Sequence, residues 1–355
     1  MNINLFDYNL PVEKIAQYPA KKRGSSKLMV LDRQTGQTEI HPFRAIVNYL
    51  HKGDALVINN TRVFKARLLG HRKTGGKVEV FLIRPLYVVA GKSNARTKRL
   101  RRWEGMAQPS KRLNEGEEIC FDEGLSLHLM KRMEKGNWEI SFPSAKAEKA
   151  IIAKFGHVPL PLYIKRPDET GDLRRYQTVF ARKDKAEAVA APTAGLHFTK
   201  TLLDKIKNKG VKVVEVTLDV GPGTFKPVKT EEIENHTIDP ETARLTAKSA
   251  AVLNSVRKKG GRIVAVGTTS VRTLESAKFT SGGIQKFSDE VNLYIKPGHK
   301  FRVIDSLLTN FHLPKSSLLI LVSAFAGREQ ILKAYDEAIK NDFRFYSYGD
   351  AMLIV

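Results

Sequence analysis

A single cysteine, Cys120, stands in 355 residues. That scarcity excludes an intramolecular disulfide framework and a thiolate-held metal cluster, and it fits a reducing compartment. Long apolar runs are missing too. The longest, Leu318 to Phe325, falls well short of the roughly eighteen residues that cross a bilayer, and Met1 to Asp7 lacks a basic region followed by an apolar core. A soluble, unexported, cytoplasmic protein with no membrane partner is therefore expected. There is no His-Glu-x-x-His, no cysteine pair and no close acidic cluster, so no metal is expected. Nucleotide loops are lacking as well: Gly221-Pro222-Gly223-Thr224 has neither the third glycine of a dinucleotide fingerprint nor the lysine of a Walker loop.

Acid is in short supply. Lys and Arg number 60 against 37 Asp and Glu, a formal charge of +23. A surplus of that size on a folded chain points to a polyanionic partner, because neutralising phosphates releases counterions and gives affinity independent of sequence. What remains is ordinary for a folded protein: 42% hydrophobic residues and enough length for two domains.

The apolar pattern divides the chain into textures. Leu28–Leu31 and Ala55–Ile58 read as strands, with Phe43, Ile46, Val47 and Leu50 at helical spacing between them. From about Phe64 short strands dominate. Phe64–His71 and Lys77–Ile83 flank the hairpin signal Thr74-Gly75-Gly76, and Glu117–Phe121, Leu125–Leu129 and Trp138–Phe142 follow, as in a small barrel or sandwich. Within this part, Arg84–Trp103 carries seven basic residues and no acid, which reads as an exposed phosphate-binding arm or a solvated insertion. A helix over Ala145–Phe155 and a proline-stiffened link over Gly156–Ile164 lead back to α/β texture.

The centre of that second part is Ala186–Val228. It reads as a strand, the loop Ala191–Thr199, a helix bearing Leu202, Leu203 and Ile206, a strand, and the loop from Asp219. Asp239-Pro240 predicts the start of a helix running to about Lys259. Strands over Arg262–Val266 and Val291–Ile295, the apolar run Leu318–Phe325, a helix over Gln330–Lys340 and a last strand over Ala351–Val355 complete the chain. Several of these strands empty into loops with hydroxyls, an imidazole or a carboxylate: Asn59-Asn60-Thr61, Thr193 and His197, Asp219 and Thr224, Thr268 and Arg272, Asn310 and His312, Tyr348 and Asp350. Loops at the carboxyl ends of parallel strands are where such sheets bind ligands, so convergence on one pocket is expected.

The wording of the loops carries more than their spacing. Ala-Pro-Thr-Ala-Gly-Leu-His-Phe-Thr (191–199), Val-Gly-Thr-Thr-Ser-Val-Arg (266–272), Thr-Asn-Phe-His-Leu-Pro (309–314), Val-Ser-Ala-Phe-Ala-Gly (322–327) and Ser-Tyr-Gly-Asp-Ala-Met-Leu (347–353) closely resemble the S-adenosylmethionine:tRNA ribosyltransferase-isomerase family. So do Ile-Ala-Gln-Tyr-Pro (15–19), Asn-Thr-Arg-Val (60–63), Pro-Ser-Lys-Arg-Leu (109–113) and Arg-Tyr-Gln-Thr-Val (175–179). The resemblance implies an α/β fold whose main sheet domain, residues 1–62 and 157–355, carries an inserted small all-β barrel domain, residues 63–156. It also implies the activity: the ribosyl part of S-adenosylmethionine moves to 7-aminomethyl-7-deazaguanine (preQ1) in a tRNA anticodon, giving epoxyqueuosine, adenine and methionine. Asp219 stands where the family usually has histidine, Asp239 where histidine is common, and Asn60 where aspartate is usual; residues 87–100 read as an insertion.

That chemistry needs a base beside the sulfonium and no metal, since the sulfonium already supplies the driving force. His197 and His312 are the first candidates for the base and Asp219 the third. Thr193, Gly195, Gly221, Gly223, Thr224 and Thr268 would cradle S-adenosylmethionine, with Arg272, Asn310 and Asp350 orienting its polar atoms. Arg96, Lys98, Arg99, Arg101, Arg102, Lys111 and Arg112 would meet tRNA, with the protein acting as a monomer. Two other readings stay open: an RNA-binding module that has lost catalysis, and a tRNA methyltransferase.

Overall fold

The computed structural model describes residues 1–88, 100–221, 223 and 227–355. Arg96, Lys98, Arg99 and Thr224 lie outside the described residues. In chain order the strands are β1 (Lys27–Leu31), β2 (Thr38–Pro42) and β3 (Ala55–Asn59), then β4 (Arg67–Arg72), β5 (Lys77–Val88), β6 (Leu100–Gln108), β7 (Glu117–Cys120), β8 (Ser126–Arg132) and β9 (Trp138–Ser141). After β10 (Gly156–His157) come β11 (Lys212–Leu218), β12 (Glu241–Leu245), β13 (Ile263–Val266), the hairpin β14 (Phe279–Thr280) and β15 (Gly283–Ile284), then β16 (Phe287–Val291), β17 (Ser306–Asn310) and β18 (Ala351–Ile354).

Nine strands make one mixed sheet in the spatial order β16-β12-β11-β3-β13-β17-β18-β1-β2. Its centre, β11-β3-β13-β17, is parallel, and β18 returns antiparallel to β17. Every residue of β3, β13 and β17 is buried. A strand covered on both faces needs no polar alternation, which is why these segments read as unbroken apolar runs. Successive side chains still point to opposite faces. Ala55, Val57, Ala265 and Leu307 join Leu253, Val256, Ile331 and Tyr335 in one core, whereas Leu56, Ile58, Val264, Val266 and Leu308 join Leu202, Leu203 and Ile206 in another. The sheet is thus the middle of three layers. The helix Lys200–Asn208 is capped by Thr199, whose Oγ1 accepts from the Leu202 N–H at 3.1 Å, and Gly210 at φ +89° lets the chain turn into β11.

The second sheet closes on itself. Its order is β4-β5-β6-β9-β8-β7, and β7 pairs back to β4 through His71 with Cys120 and Arg72 with Ile119, while β10 extends β4. The result is a six-stranded antiparallel barrel inserted between β3 and the rest of the main sheet. Leu68, Val80, Trp103, Leu127, Trp138 and Ile140 fill it. Gly105 marks the tightest approach: a Cβ there would lie 2.6 Å from the Phe81 carbonyl oxygen and 2.4 Å from Ile140 Cδ1. The helix Ala145–Phe155 is capped by Ser144 and buries Ile151 in the same core.

Four expectations are corrected. Ala186–Ala191 is not a strand; only Ala188 bridges to Val63. Its side chains are divided among separate clusters, Val189 in the barrel, Ala190 beside Leu218 and Ala191 beside Tyr176, so the segment threads between layers instead of pairing along an edge. Asp239 does not begin a helix. Ala243 and Leu245 alternate inward on β12, and the helix starts at Ala247 with Thr246 as its cap. The strand expected at Val291–Ile295 lies earlier, over Phe287–Val291. Finally, all of the described part of Arg84–Trp103 is strand, because β5 runs to Val88 and β6 begins at Leu100. No helix among the described residues is long and apolar enough to cross a membrane.

Candidate active site

The carboxyl ends of β3, β11, β13 and β17 lie along one edge of the sheet, and the loops beginning at Asn60, Asp219, Gly267 and Phe311 leave from it. The loop Ala191–Thr199 delivers the helix Lys200–Asn208 to the same edge, as does Tyr346–Asp350 ahead of β18. Between them is a cleft of about 440 Å³, open to solvent. Thr193, Thr268, Thr309, Asn310, His312 and Ser347 give it polar walls, and Val220 and Leu318 give it apolar ones. Gly267, at φ +84°, sits where β13 breaks into the helix Thr268–Glu275, and Gly267, Thr268 and Thr269 at the start of that helix line the cleft.

Asn310 organises this edge. Its Nδ2 donates to the carbonyls of Tyr346 (3.1 Å) and Asp350 (3.4 Å), and its Oδ1 accepts from Thr193 Oγ1 at 3.2 Å. Two carbonyl acceptors fix which end of the amide is nitrogen. The third contact of Nδ2, to His197 Nε2 at 3.2 Å, therefore makes that ring nitrogen an acceptor. It follows that His197 carries its proton on Nδ1 and donates it to Ser26 Oγ at 2.7 Å. Burial, and then the positive charges of Arg344 and Arg23, lower its pKa to about 3. Both ring nitrogens are engaged, and the ring lines a neighbouring cleft rather than this one. His197 thus positions Asn310 and Thr193 and is not placed to take a proton from a ligand.

His312 is the candidate base that does line the cleft. Its Nε2 is held by Thr309 Oγ1 at 2.9 Å. Its backbone is clamped by two tyrosines: the N–H donates to Tyr335 Oη at 3.0 Å, and Tyr8 Oη donates to its carbonyl. Burial lowers the imidazole pKa to about 3, so the ring is neutral at physiological pH. Asp219, the third candidate, is not among the cleft residues. Thr61 Oγ1 donates to it at 2.7 Å and Arg244 approaches at 3.3 Å, while burial pushes its pKa above the ordinary carboxylate range against those two contacts. Its neighbour Val220 faces the cleft in its place.

The remaining residues singled out from the sequence separate into two groups. Thr193, Thr268 and Asn310 meet at the cleft, whereas Gly195, Gly221 and Asp350 serve packing and backbone contacts. A Cβ on Gly195 would fall 2.6 Å from the Phe180 ring, and the Gly221 N–H donates to Glu241 Oε1 at 2.8 Å. Asp350 clasps the main-chain N–H groups of Lys27 (2.9 Å) and Arg344 (2.8 Å). Asn60, in place of aspartate, donates to Glu215 Oε2 at 2.8 Å, which a second carboxylate would repel. On the barrel, Arg102 is paired with Glu139, Arg101 lies on β6, and Lys111 and Arg112 are exposed on a short turn.

A second cavity, of about 490 Å³ with the solvent at its mouth included, meets the first at Leu318. Gly223, Asp239, Tyr294 and Arg272 line it. Arg272 and Glu241 form an ion pair with each side chain only 4% exposed, and Arg272 Nε donates to the Leu293 carbonyl at 3.2 Å. Among the described residues, Arg272 Nη2 and Tyr294 Oη are both buried without a hydrogen-bond partner. Unsatisfied donors in a cavity ask for an acceptor from outside. Sequence reasoning missed Ser26, Thr309, Ser347, Tyr294 and Glu241 as contributors. Thr309 and Ser347 each opened a recognised motif, whereas Ser26 and Glu241 carry no local signal, because their partners His197 and Arg272 lie far along the chain.

The two neutral imidazoles make stability pH-dependent. Each has a folded pKa near 3, below its unfolded value, so under about pH 6.5 the unfolded chain binds protons that the folded chain excludes. Their contribution is full above that pH and is lost as pH falls towards 3. Asp219, with its pKa raised, contributes in the opposite direction. Urea unfolding is expected to give a stability about 2–3 kcal/mol lower at pH 5.5 than at pH 7.5; equal values at the two pH values would show that these rings ionise freely in the folded chain.

Fold and site together define an α/β protein with an inserted barrel, a polar small-molecule cleft at the carboxyl edge of its sheet, and a strongly basic surface. A family model described as "Queuosine biosynthesis protein" matches residues 3–354. Curated relatives called S-adenosylmethionine:tRNA ribosyltransferase-isomerase include those of Pelobacter propionicus, 45% identical over 354 residues, and Trichlorobacter lovleyi, 44% identical over 355, both covering 100% of each chain. The crystal structure of S-adenosylmethionine tRNA ribosyltransferase from Thermotoga maritima is 35% identical, covers 99% of this chain and 100% of that one, and superposes with a TM-score of 0.55. The chain belongs to the S-adenosylmethionine:tRNA ribosyltransferase-isomerase family of queuosine biosynthesis.

Proposed function

We infer that this enzyme transfers and isomerises the ribosyl group of S-adenosylmethionine onto preQ1 in a tRNA anticodon, forming epoxyqueuosine and releasing adenine and methionine. The observation that carries the site assignment is the meeting of Thr193, Thr268, Asn310 and His312, from three separate segments, around one cleft. In this reading the nucleoside part of S-adenosylmethionine lies in that cleft. The methionine part passes Leu318 into the second cavity, where its carboxylate meets Arg272 Nη2 and Tyr294 Oη. His312, neutral and facing the cleft, takes the proton from the carbon beside the sulfonium. The carbanion pair expels the ring oxygen from the neighbouring carbon, and that oxygen becomes a carbonyl as the C–N bond to adenine breaks. The preQ1 amine adds to the resulting vinyl sulfonium, the renewed carbanion bonds to the carbonyl carbon to close the five-carbon ring, and the alkoxide so formed closes the epoxide by displacing methionine from the C–S bond.

Main-sheet residues 1–62 and 157–355 hold the site in this reading, and the barrel, residues 63–156, supports tRNA. In this reading the protein acts as a monomer. The expected result on incubating the protein with S-adenosylmethionine and preQ1-bearing tRNA is epoxyqueuosine in the nucleoside digest and one adenine released per product. Formation of S-adenosylhomocysteine would mark a methyltransferase, and tRNA binding without turnover an RNA-binding module.

A further inference from the structure

The cleft behind His197 has a chemistry of its own. It is an open depression of about 330 Å³, solvent included, and Lys22, Arg23, Arg175, Ser26, His197 and Ser347 are among its walls. Lys21 and Arg174 are exposed, next in sequence to its lining residues Lys22 and Arg175. Among the described residues, none of Lys21, Lys22, Arg23, Arg174 and Arg175 enters an ion pair, whereas Arg67, Arg84, Arg102 and Arg166 each have a carboxylate. The nearby acids are already committed: Asp172 to Arg166 and Tyr348, and Glu169 to Tyr18.

The two half-buried guanidiniums are locked in place by main-chain oxygens. Arg23 donates to the carbonyls of Leu196 (3.0 Å) and Arg174 (3.2 Å), and Arg175 to those of Lys21 (3.2 Å) and Ala20. Carbonyls orient a guanidinium but leave its net charge uncompensated. Burial lowers the Arg23 pKa, and so does the crowding of Arg175 and Arg174 beside it. Fixed, uncompensated cations around a concave surface form a site for an anion with several oxygens. Ser347 lines this cleft and the reactive cleft alike, so the two sit back to back.

We propose that the cleft formed by Lys22, Arg23 and Arg175, with Lys21 and Arg174 beside it, seats a backbone phosphate of the substrate RNA and holds the anticodon strand against the reactive cleft. The identity of the RNA rests on the ribosyltransferase reading; the anion site rests on the uncompensated cations. This contact lies on the main sheet part, separate from the barrel residues Lys111 and Arg112. Each phosphate neutralised there adds to the salt dependence of binding.

The test combines three exposed substitutions, Lys21→Gln, Lys22→Gln and Arg174→Gln, leaving the half-buried arginines intact. A control variant carries Lys248→Gln, Lys258→Gln and Lys259→Gln, exposed positions on the helix Ala247–Lys258 and just beyond it, with the same loss of charge. Affinity for preQ1-bearing tRNA is measured across salt concentrations. The first variant is expected to bind roughly tenfold or more weakly, with the slope of log K against log salt smaller by about 1–2, while the control keeps the wild-type slope. Equal behaviour of the two variants would overturn the phosphate site and leave the enzymatic reading standing. Wild-type protein that binds no tRNA would overturn the enzymatic reading and this proposal with it.

Discussion

Replacing His312 by glutamine is expected to lower the rate of adenine release by about 10²–10⁴-fold, the range for loss of a positioned base, while S-adenosylmethionine binding changes little. Glutamine nearly fills the site and keeps a hydrogen-bonding group for Thr309, so the fold survives. The tyrosine clamps act on the backbone of residue 312 and are indifferent to the side chain. Because burial holds the imidazole pKa near 3, the ring is already the free base throughout pH 5–8, and the rate is expected to show no ascending limb from it in that range. A contrast sharpens the point. His197→Gln disturbs the contact to Ser26 and the aim of Asn310 and Thr193 without removing a group that faces the reactive cleft, so its effect is smaller and divided between KM and kcat. Full turnover by H312Q would remove His312 from the chemistry.

The second large effect concerns Arg272. It forms a buried ion pair with Glu241, and Glu241 also accepts from the Gly221 N–H at 2.8 Å. Arg272→Met strands a buried carboxylate, and stability is expected to fall by about 3–5 kcal/mol in chemical unfolding. Adding Glu241→Gln removes that stranded charge while keeping an acceptor for Gly221, and most of the lost stability returns. Affinity for S-adenosylmethionine does not return: a charge-assisted hydrogen bond is worth about 1.5–3 kcal/mol, or roughly 10–100-fold in binding. The double variant separates the two roles. If it bound S-adenosylmethionine like wild type, the second cavity would have no part in holding the methionine carboxylate.

Much of the main sheet was legible because its central strands are buried on both faces and therefore read as apolar runs ending in polar loops. The barrel was legible from its glycine turns, although the closure of β7 onto β4 depends on pairing between distant segments. Asp239-Pro240-Glu241 misled because a helix-start signature precedes a strand; the deciding signals were the period-two burial of Ala243 and Leu245 and the cap at Thr246. Asp219 misled differently. Its position at a strand end was legible, but it turns to Thr61 and Arg244 while Val220 lines the cleft. The paired roles of Arg272 with Glu241, and of Ser26 with His197, join residues far apart in the chain, and no local pattern announces them.

The most direct test of the account is a structure of the protein with S-adenosylmethionine bound and no tRNA present. The account places the nucleoside among Thr193, Thr268, Asn310 and His312, with the methionine carboxylate beyond Leu318 against Arg272. Density for the ligand at the barrel, or on the far side of the sheet with that cleft unfilled, would contradict it.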